Sequence, residues 1–166
     1  MLLTLTSTVT GLIISVFESA LEKNVALTVF IPMLMGTGGN CGSQSAITVI
    51  RALSLGEITL SDTLKVLFKE FRVALMCSAV LSVMMFVKIM TVDRPLGGSG
   101  IDILVAITVS LTLIITVCNS KIICAALPLL ASKMGLDPAV MASPFVTTLV
   151  DTVTLLAYFT VAGLII

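Results

Sequence analysis

Residues 32–45 read PMLMGTGGNCGSQS and lie inside a run, residues 24–50, that carries no charged side chain. A membrane-spanning helix needs about 20 mostly apolar residues, so this run is long enough to cross a bilayer. Glycine, amide and hydroxyl groups in the middle of such a run must face protein or water, because lipid offers polar groups no hydrogen-bond partner. The stretch therefore predicts a membrane-spanning helix with one polar face.

Charged residues divide the rest of the chain into further apolar segments. The 166 residues are 58% hydrophobic and 11% charged, and their mean hydropathy is +1.22. So little charge does not cover the surface of a soluble domain. We predict an all-α, polytopic membrane protein with about five transmembrane helices in one domain, 1–166, with spans at about 2–20, 24–50, 68–91, 101–131 and 138–166.

Composition also narrows the functional classes. Nine Lys and Arg residues balance nine Asp and Glu residues, so the net charge does not indicate nucleic-acid binding, and we expect no nucleic-acid partner. The chain has no His, and its four Cys lie in apolar runs without a paired spacing, which argues against zinc or copper sites. A membrane-embedded enzyme usually needs several acids, or Ser and His pairs, near one depth. We therefore expect a protein that is not an enzyme.

Basic residues near the span ends predict the orientation in the cell membrane. The regions 51–72 and 132–138 carry more of them than the opposite side does. The first side has Arg51, Lys65, Lys69, Arg72 and Lys133, and the second has Lys23, Lys88 and Arg94. The bias predicts a cytoplasmic N-terminus and a C-terminus outside.

The second span concentrates small and polar residues on one helical face. Gly36, Gly39, Asn40 and Ser43 stand at i, i+3, i+4 and i+7, a spacing that shares one face of a helix. Backbone carbonyls and amide oxygen on that face suit a hard, hydrated cation. Small residues also let membrane helices pack closely. Both roles can hold, since the opposite face remains available for packing.

The last span carries one acid in an otherwise uncharged helix. Asp151 belongs to a polar stripe at helical spacing that comprises Ser143, Thr147, Asp151, Thr154 and Tyr158. A charged Asp at the bilayer centre costs ~3 kcal/mol or more, so it normally faces protein or water. We interpret Asp151 as a ligand for a divalent cation. The alternatives are a protonated Asp and a structural pair with Lys121.

Lys121 lies within the fourth span, and its role stays open at this level. It can snorkel, pair with Glu18 or Asp151, or tune the local field.

One carboxylate with amide, hydroxyl and carbonyl oxygens forms an all-oxygen ligand set. Mg²⁺ keeps several waters and is usually held by one or two carboxylates. Two chains around a shared axis would supply two Asp151 side chains, which matches the charge of the ion. This arithmetic predicts a homodimer with its ion pathway near the symmetry axis.

Several motifs resemble the MgtE-type magnesium channel family. They are PMLMGTGGNCG at 32–42 with the following Ser43-Gln44-Ser45 and Arg51-Ala52-Leu53, Phe17-Glu18-Ser19, Leu136-Asp137-Pro138-Ala139, and Pro144, Thr148 and Asp151. The resemblance covers nearly the whole chain in the same order. It implies a homodimeric Mg²⁺ channel whose second and fifth helices line the pore.

The resemblance also implies particular ion contacts. The family's key carboxylate falls on Asp151, and its pore-facing carbonyls fall on Gly36, Gly39 and Thr147. The ion is held largely through its waters. With the polar face of the second span, the expected metal-site residues are Asp151, Gly36, Gly39, Thr147, Asn40 and Ser43.

The chain departs from the family pattern in two respects. Members often carry Asn at the positions of Ser43 and Ser143, and shorter hydroxyls leave the choice between Mg²⁺ and Mn²⁺ or other divalent ions open. Members also carry cytoplasmic N-terminal and CBS regulatory domains, which we expect to be absent from this chain.

Two alternatives to a channel remain at this level. One is a divalent cation carrier coupled to H⁺ or Na⁺, with Lys121 and Glu18 as candidate coupling groups. The other is a structural membrane subunit, in which the Asp151 stripe makes only interhelical contacts.

Overall fold

The computed structural model describes residues 2–17, 24–96, 100–139 and 144–166, and its regular elements there are all helical. In these ranges the five α-helices longer than one turn are α1 (Leu2–Val16), α2 (Ile31–Ser54), α3 (Thr63–Lys88), α4 (Ile103–Lys133) and α5 (Pro144–Ile165), and a short 3-10 helix, Val25–Phe30, precedes α2. The predicted all-α fold class is confirmed.

Within the described residues, four helical segments are long and apolar enough to cross a membrane. They are Val25–Ser54, Leu60–Leu96, Ile103–Lys133 and Val146–Ile165, and they correspond to the second to fifth predicted spans. Helix α1 ends at Val16 after 15 residues. That α1 forms the first of five membrane spans stays a prediction.

Helix α3 begins before the apolar part of its segment. It starts at Thr63, whereas hydropathy alone placed the third span at about 68–91. Lys, Glu and Arg are strong helix formers, so the helix extends through its charged first turns. Beyond Lys88, a π-helical turn at Ile89–Asp93 and a one-turn helix at Arg94–Leu96 continue the segment.

Helix α4 is bounded by clear local signals. The Asp102 side chain caps its start and accepts a hydrogen bond from the Val105 N–H at 2.9 Å. Its end is followed by Gly135 with φ of 72°, a left-handed conformation that glycine adopts without steric penalty. These ends define the longest helix of the described chain, 31 residues.

Helix α4 forms the centre of the bundle. It packs against α2, α3 and α5, and α1 packs against α5. The main core cluster joins Val109 and Leu113 of α4 to Leu155 and Phe159 of α5. Phe17, just beyond α1, stacks on Phe159 with ring centroids 4.8 Å apart. As a result, α2 and α5 both rest on α4 and also contact each other.

Candidate ion pathway

The inner face of α2 is closely packed at two glycines, one helical turn apart. A Cβ at Gly38 would lie 2.8 Å from Thr116 Cγ2 of α4 and 3.1 Å from Val150 Cγ1 of α5. A Cβ at Gly42 would lie 2.5 Å from the Ser120 hydroxyl oxygen of α4. Real Cβ atoms essentially never come within 3.0 Å of another atom, so the absence of a side chain at these two glycines lets α2 pack directly on its neighbours.

The other two glycines of this stretch face away from the bundle. Cβ positions at Gly36 and Gly39 have no described atom within 4 Å, apart from nearby backbone of their own helix. Asn40 is exposed, and Ser43 is half-buried. The packing role and the outward polar face thus belong to different residues of α2.

Asp151 lies on α5 beside this part of α2. Its neighbour Val150 and the nearby Thr154 both approach Gly38 of α2, which places Asp151 at the depth of the packed glycines. The Asp151 side chain is half-buried. No described basic side chain forms an ion pair with it, so the alternative of a structural pair with Lys121 is not observed.

The polar stripe of α5 divides into two parts. Thr154 and Tyr158 are buried in the bundle, and the Tyr158 hydroxyl donates to the Leu27 carbonyl at 2.9 Å. Thr147 and Asp151 are half-buried. Ser143 lies outside the described residues. Leu27, which precedes α2, covers the Tyr158 end of α5. Helical spacing predicts that these polar residues share one side of α5, but not which of them are buried by other parts of the chain.

Lys121 is held within the bundle by partners from two other helices. Its Nζ donates to the Ser45 hydroxyl of α2 at 2.8 Å and to Glu70 Oε2 of α3 at 3.1 Å. The Ser45 hydroxyl itself donates to the same Glu70 oxygen at 2.6 Å. Of the partners expected from the sequence, Asp151 is not used, and Glu18 lies outside the described residues.

Sequence reasoning missed Glu70, which stands among the charged residues that precede the apolar part of α3. The sequence did contain a signal, because Ala74, Ser78 and Ser82 are small residues spaced four positions apart. In the structure these three residues and Glu70 form the buried face of α3. Three small residues in this register indicate a helix face in close contact with a neighbour. Glu70 continues that face by one turn.

The candidate ligands of α2 and α5 are oxygen atoms, with Asp151 as the only carboxylate in either helix. Among the described residues, no three His, Cys, Asp or Glu side chains come together to hold a metal ion. The candidate ligands of one chain are therefore carbonyl, amide and hydroxyl oxygens together with one carboxylate. Such a set suits a cation that keeps most of its water.

The four described helical segments that are long and apolar enough to cross a membrane define a polytopic α-helical membrane protein. A family model described as MgtE, divalent cation transporter, matches residues 31–161. The chain belongs to this family, which confirms the resemblance seen in its motifs. The family consists of transporters rather than enzymes.

Three relatives named magnesium transporter MgtE are similar to this chain. The protein of Thermus thermophilus is 40% identical over 165 residues, 99% of this chain and 35% of the relative. That of Bacillus subtilis is 39% identical over 154 residues, 93% of this chain and 33% of the relative. That of Enterococcus faecalis is 35% identical over 158 residues, again 93% and 33%. The chain thus spans about a third of the length of these relatives.

Proposed function

We propose that the chain forms a membrane pathway for Mg²⁺, with the ion-facing oxygens on α2 and α5. The observation that carries the proposal is the juxtaposition of these two helices at Gly38. It places Asp151 beside a segment of α2 whose other glycines, Gly36 and Gly39, face outward and are uncovered. The names of the three relatives support Mg²⁺ as the transported ion.

The pathway lies at the interface of a homodimer. A face formed by Gly36, Gly39 and Asn40 leaves backbone polar groups poorly covered, and lipid cannot hydrogen-bond them. A second copy related by a two-fold axis would cover the same face with its own. It would also bring a second Asp151, and two carboxylates balance the charge of one Mg²⁺.

The ion passes with most of its water retained. Mg²⁺ gives up water reluctantly, so carboxylates and carbonyls act mainly through hydrogen bonds to coordinated water. In this arrangement Asp151 and the carbonyls of Gly36, Gly39 and Thr147 accept those hydrogen bonds. Asn40 and Ser43 extend the polar lining along α2. Selectivity among divalent ions is measured with Mn²⁺ as the competing ion.

The orientation has a cytoplasmic N-terminus and a C-terminus outside. The fold supports it, because Val49 of α2, Leu67 of α3 and Leu129 of α4 belong to one cluster near one end of the bundle. The basic residues near these helix ends therefore lie on the same side of the bundle; they are Arg51, Lys65, Lys69 and Lys133. An excess of basic residues marks the cytoplasmic side of a membrane protein.

A channel fits the described geometry better than a carrier coupled to H⁺ or Na⁺. The carrier hypothesis needs a titratable group facing the pathway in addition to Asp151. Of the two candidate coupling groups, Glu18 lies outside the described residues. Lys121 does not serve this purpose, because it bonds Ser45 on the buried face of α2 and is paired with Glu70. A purely structural subunit gives no function to Asp151, which is half-buried and forms no ion pair with a described residue.

Flux measurements on the chain in liposomes test the proposal. We expect Mg²⁺ entry, reported by a dye inside the vesicles, to fall at least about tenfold in Asp151→Asn. Asp93→Asn removes an acid of the same type far from the pathway and should transport normally. Equal flux in wild type and Asp151→Asn, at equal incorporation, would reject a role for Asp151. Absence of flux without a proton or sodium gradient would favour the coupled carrier.

A further inference from the structure

The most unusual feature outside the candidate pathway is a buried ion pair shared by three helices. Lys121 of α4 and Glu70 of α3 are 3.1 Å apart, with side chains 10% and 9% exposed. Ser45 of α2 is 1% exposed and hydrogen-bonds both of them. Ionised groups at such positions are costly unless they are paired and hydrogen-bonded, and here each has both kinds of partner.

A second polar contact joins α4 to α2 about two turns away. Ser120 donates a hydrogen bond to the Gly38 carbonyl, while Gly42, between Gly38 and Ser45, packs against Ser120 and Cys124. Ser120 and Lys121, which are adjacent on α4, thus hydrogen-bond to α2 on either side of the close contact at Gly42. Glycine and methyl contacts tolerate small sliding of one helix along another, because they have little directionality.

Hydrogen bonds and ion pairs are directional, so they oppose such sliding. A shift of α2 along α4 would separate Lys121 from Ser45 and leave buried polar groups unsatisfied. The same shift would move the backbone of Gly36 and Gly39, including their carbonyls, because these residues belong to the same helix. The buried network is therefore mechanically linked to the proposed ion-facing surface.

We propose that Lys121, Glu70 and Ser45 form a positioning network that sets the axial position of α2, and with it the placement of the Gly36 and Gly39 carbonyls toward the ion. This inference rests on the proposed pathway. The three residues are positioning residues, since they lie on the bundle side of α2 and do not face the ion. Removal of the two charges together, which leaves neither one unpaired, should change ion affinity and selectivity more than it changes folding.

If the network had only a structural role, a variant that lacks it but stays folded would transport Mg²⁺ like wild type. Buried ion pairs often contribute little net stability compared with well-packed apolar side chains of similar volume. The double variant Glu70→Leu/Lys121→Met removes both charges together and leaves neither one unpaired. It should therefore remain folded, which allows its transport properties to be compared with wild type.

The experiment measures Mg²⁺ flux against Mg²⁺ concentration, and the ratio of Mg²⁺ to Mn²⁺ flux, in liposomes. The variants are the double variant and Ser45→Ala, which removes one hydroxyl and leaves the ion pair. The control is Lys88→Met/Asp93→Leu, which removes an ion pair of 2.9 Å whose lysine side chain is 49% exposed. Thermal unfolding of each protein is measured in parallel.

We expect the double variant to show a KM for Mg²⁺ raised about fivefold and a Mg²⁺ to Mn²⁺ flux ratio lowered about threefold. Ser45→Ala should change both in the same direction by a smaller factor, and the control should match wild type. Wild-type KM and flux ratio in the folded double variant and in Ser45→Ala would overturn the inference. An equal change in the control would also overturn it.

Ser45→Ala decides the outcome if the double variant does not fold. Failure of the network is distinguishable from failure of the pathway. Flux that depends on Asp151 in wild type but is unchanged by the network variants rejects the network alone. Wild-type flux that is insensitive to Asp151→Asn rejects the pathway itself.

Discussion

Ser120 on α4 donates a hydrogen bond to the backbone carbonyl of Gly38 on α2. The bond forms because Gly38 and Gly42 have no side chain to separate the two helices. The same helix α2 carries two other glycines, Gly36 and Gly39, that make no such contact. Substitution of a packed glycine should therefore mainly lower the stability of the fold, whereas substitution of an uncovered glycine should mainly reduce transport.

Gly42→Ala should destabilise the protein by about 1–3 kcal/mol, the usual range for overpacking a close contact. Its Cβ would lie 2.5 Å from both the Ser120 oxygen and the Cys124 sulfur. Thermal unfolding in detergent measures the effect. The matched control is Gly163→Ala in α5, where nothing lies within 4 Å and where alanine favours the helix. An unfolding temperature of Gly42→Ala equal to that of the control would contradict this packing.

Gly39→Leu should block Mg²⁺ flux without overpacking any contact between helices of the same chain. The Cβ position at Gly39 is uncovered within the chain, so the side chain would extend into the proposed pathway. Gly163→Leu, at a similarly uncovered site on α5, should transport normally. Vesicle flux assays on both variants make the comparison. Normal transport by Gly39→Leu would place the pathway elsewhere.

Lys121→Met alone should destabilise the fold more than Glu70→Leu/Lys121→Met. The single change leaves the Glu70 carboxylate buried without its ion-pair partner, a loss of about 3–5 kcal/mol, whereas the double change removes both charges. Unfolding of the two single variants and the double variant completes a double-mutant cycle. Additive effects of the two single changes would show that the 3.1 Å pair is not coupled.

The homodimer predicts cross-linking across the outward face of α2. With the four native cysteines replaced by alanine, Asn40→Cys should form a disulfide-linked dimer in membranes under mild oxidation. Asn40 is exposed on the same face as Gly36. Val80→Cys on α3 is the control, because Val80 is 60% exposed and lies on a different helix. Equal cross-linking at both positions would argue against a specific interface.

The proposed orientation predicts which loops react with a membrane-impermeant maleimide added to intact cells. In the same cysteine-free background, Leu96→Cys should be labelled from outside. Ser61→Cys, between α2 and α3, should be labelled only after the cells are permeabilised. Both positions are exposed. The reverse pattern would invert the topology.

The amino-acid sequence by itself determined the class of this protein and the position of four membrane segments. Runs without charge, such as residues 24–50, cannot cover a soluble surface, so hydropathy alone identifies them. Helical spacing also placed Gly36, Gly39, Asn40 and Ser43 on one face, and none of the four is buried in the structure. Periodicity succeeds here because one straight helix determines which residues share a side.

Only the tertiary structure decided which polar residues meet and which glycines pack. Glu70 and Lys121 are 51 positions apart in sequence, and no local pattern relates residues on separate helices. Spacing shows that Gly38 and Gly42 share a face, but not that α4 covers it. For the same reason the sequence left Lys121 free to pair with Asp151, whereas the bundle turns it toward Ser45 and Glu70. Contacts between helices depend on rotation and axial position, which the fold as a whole determines.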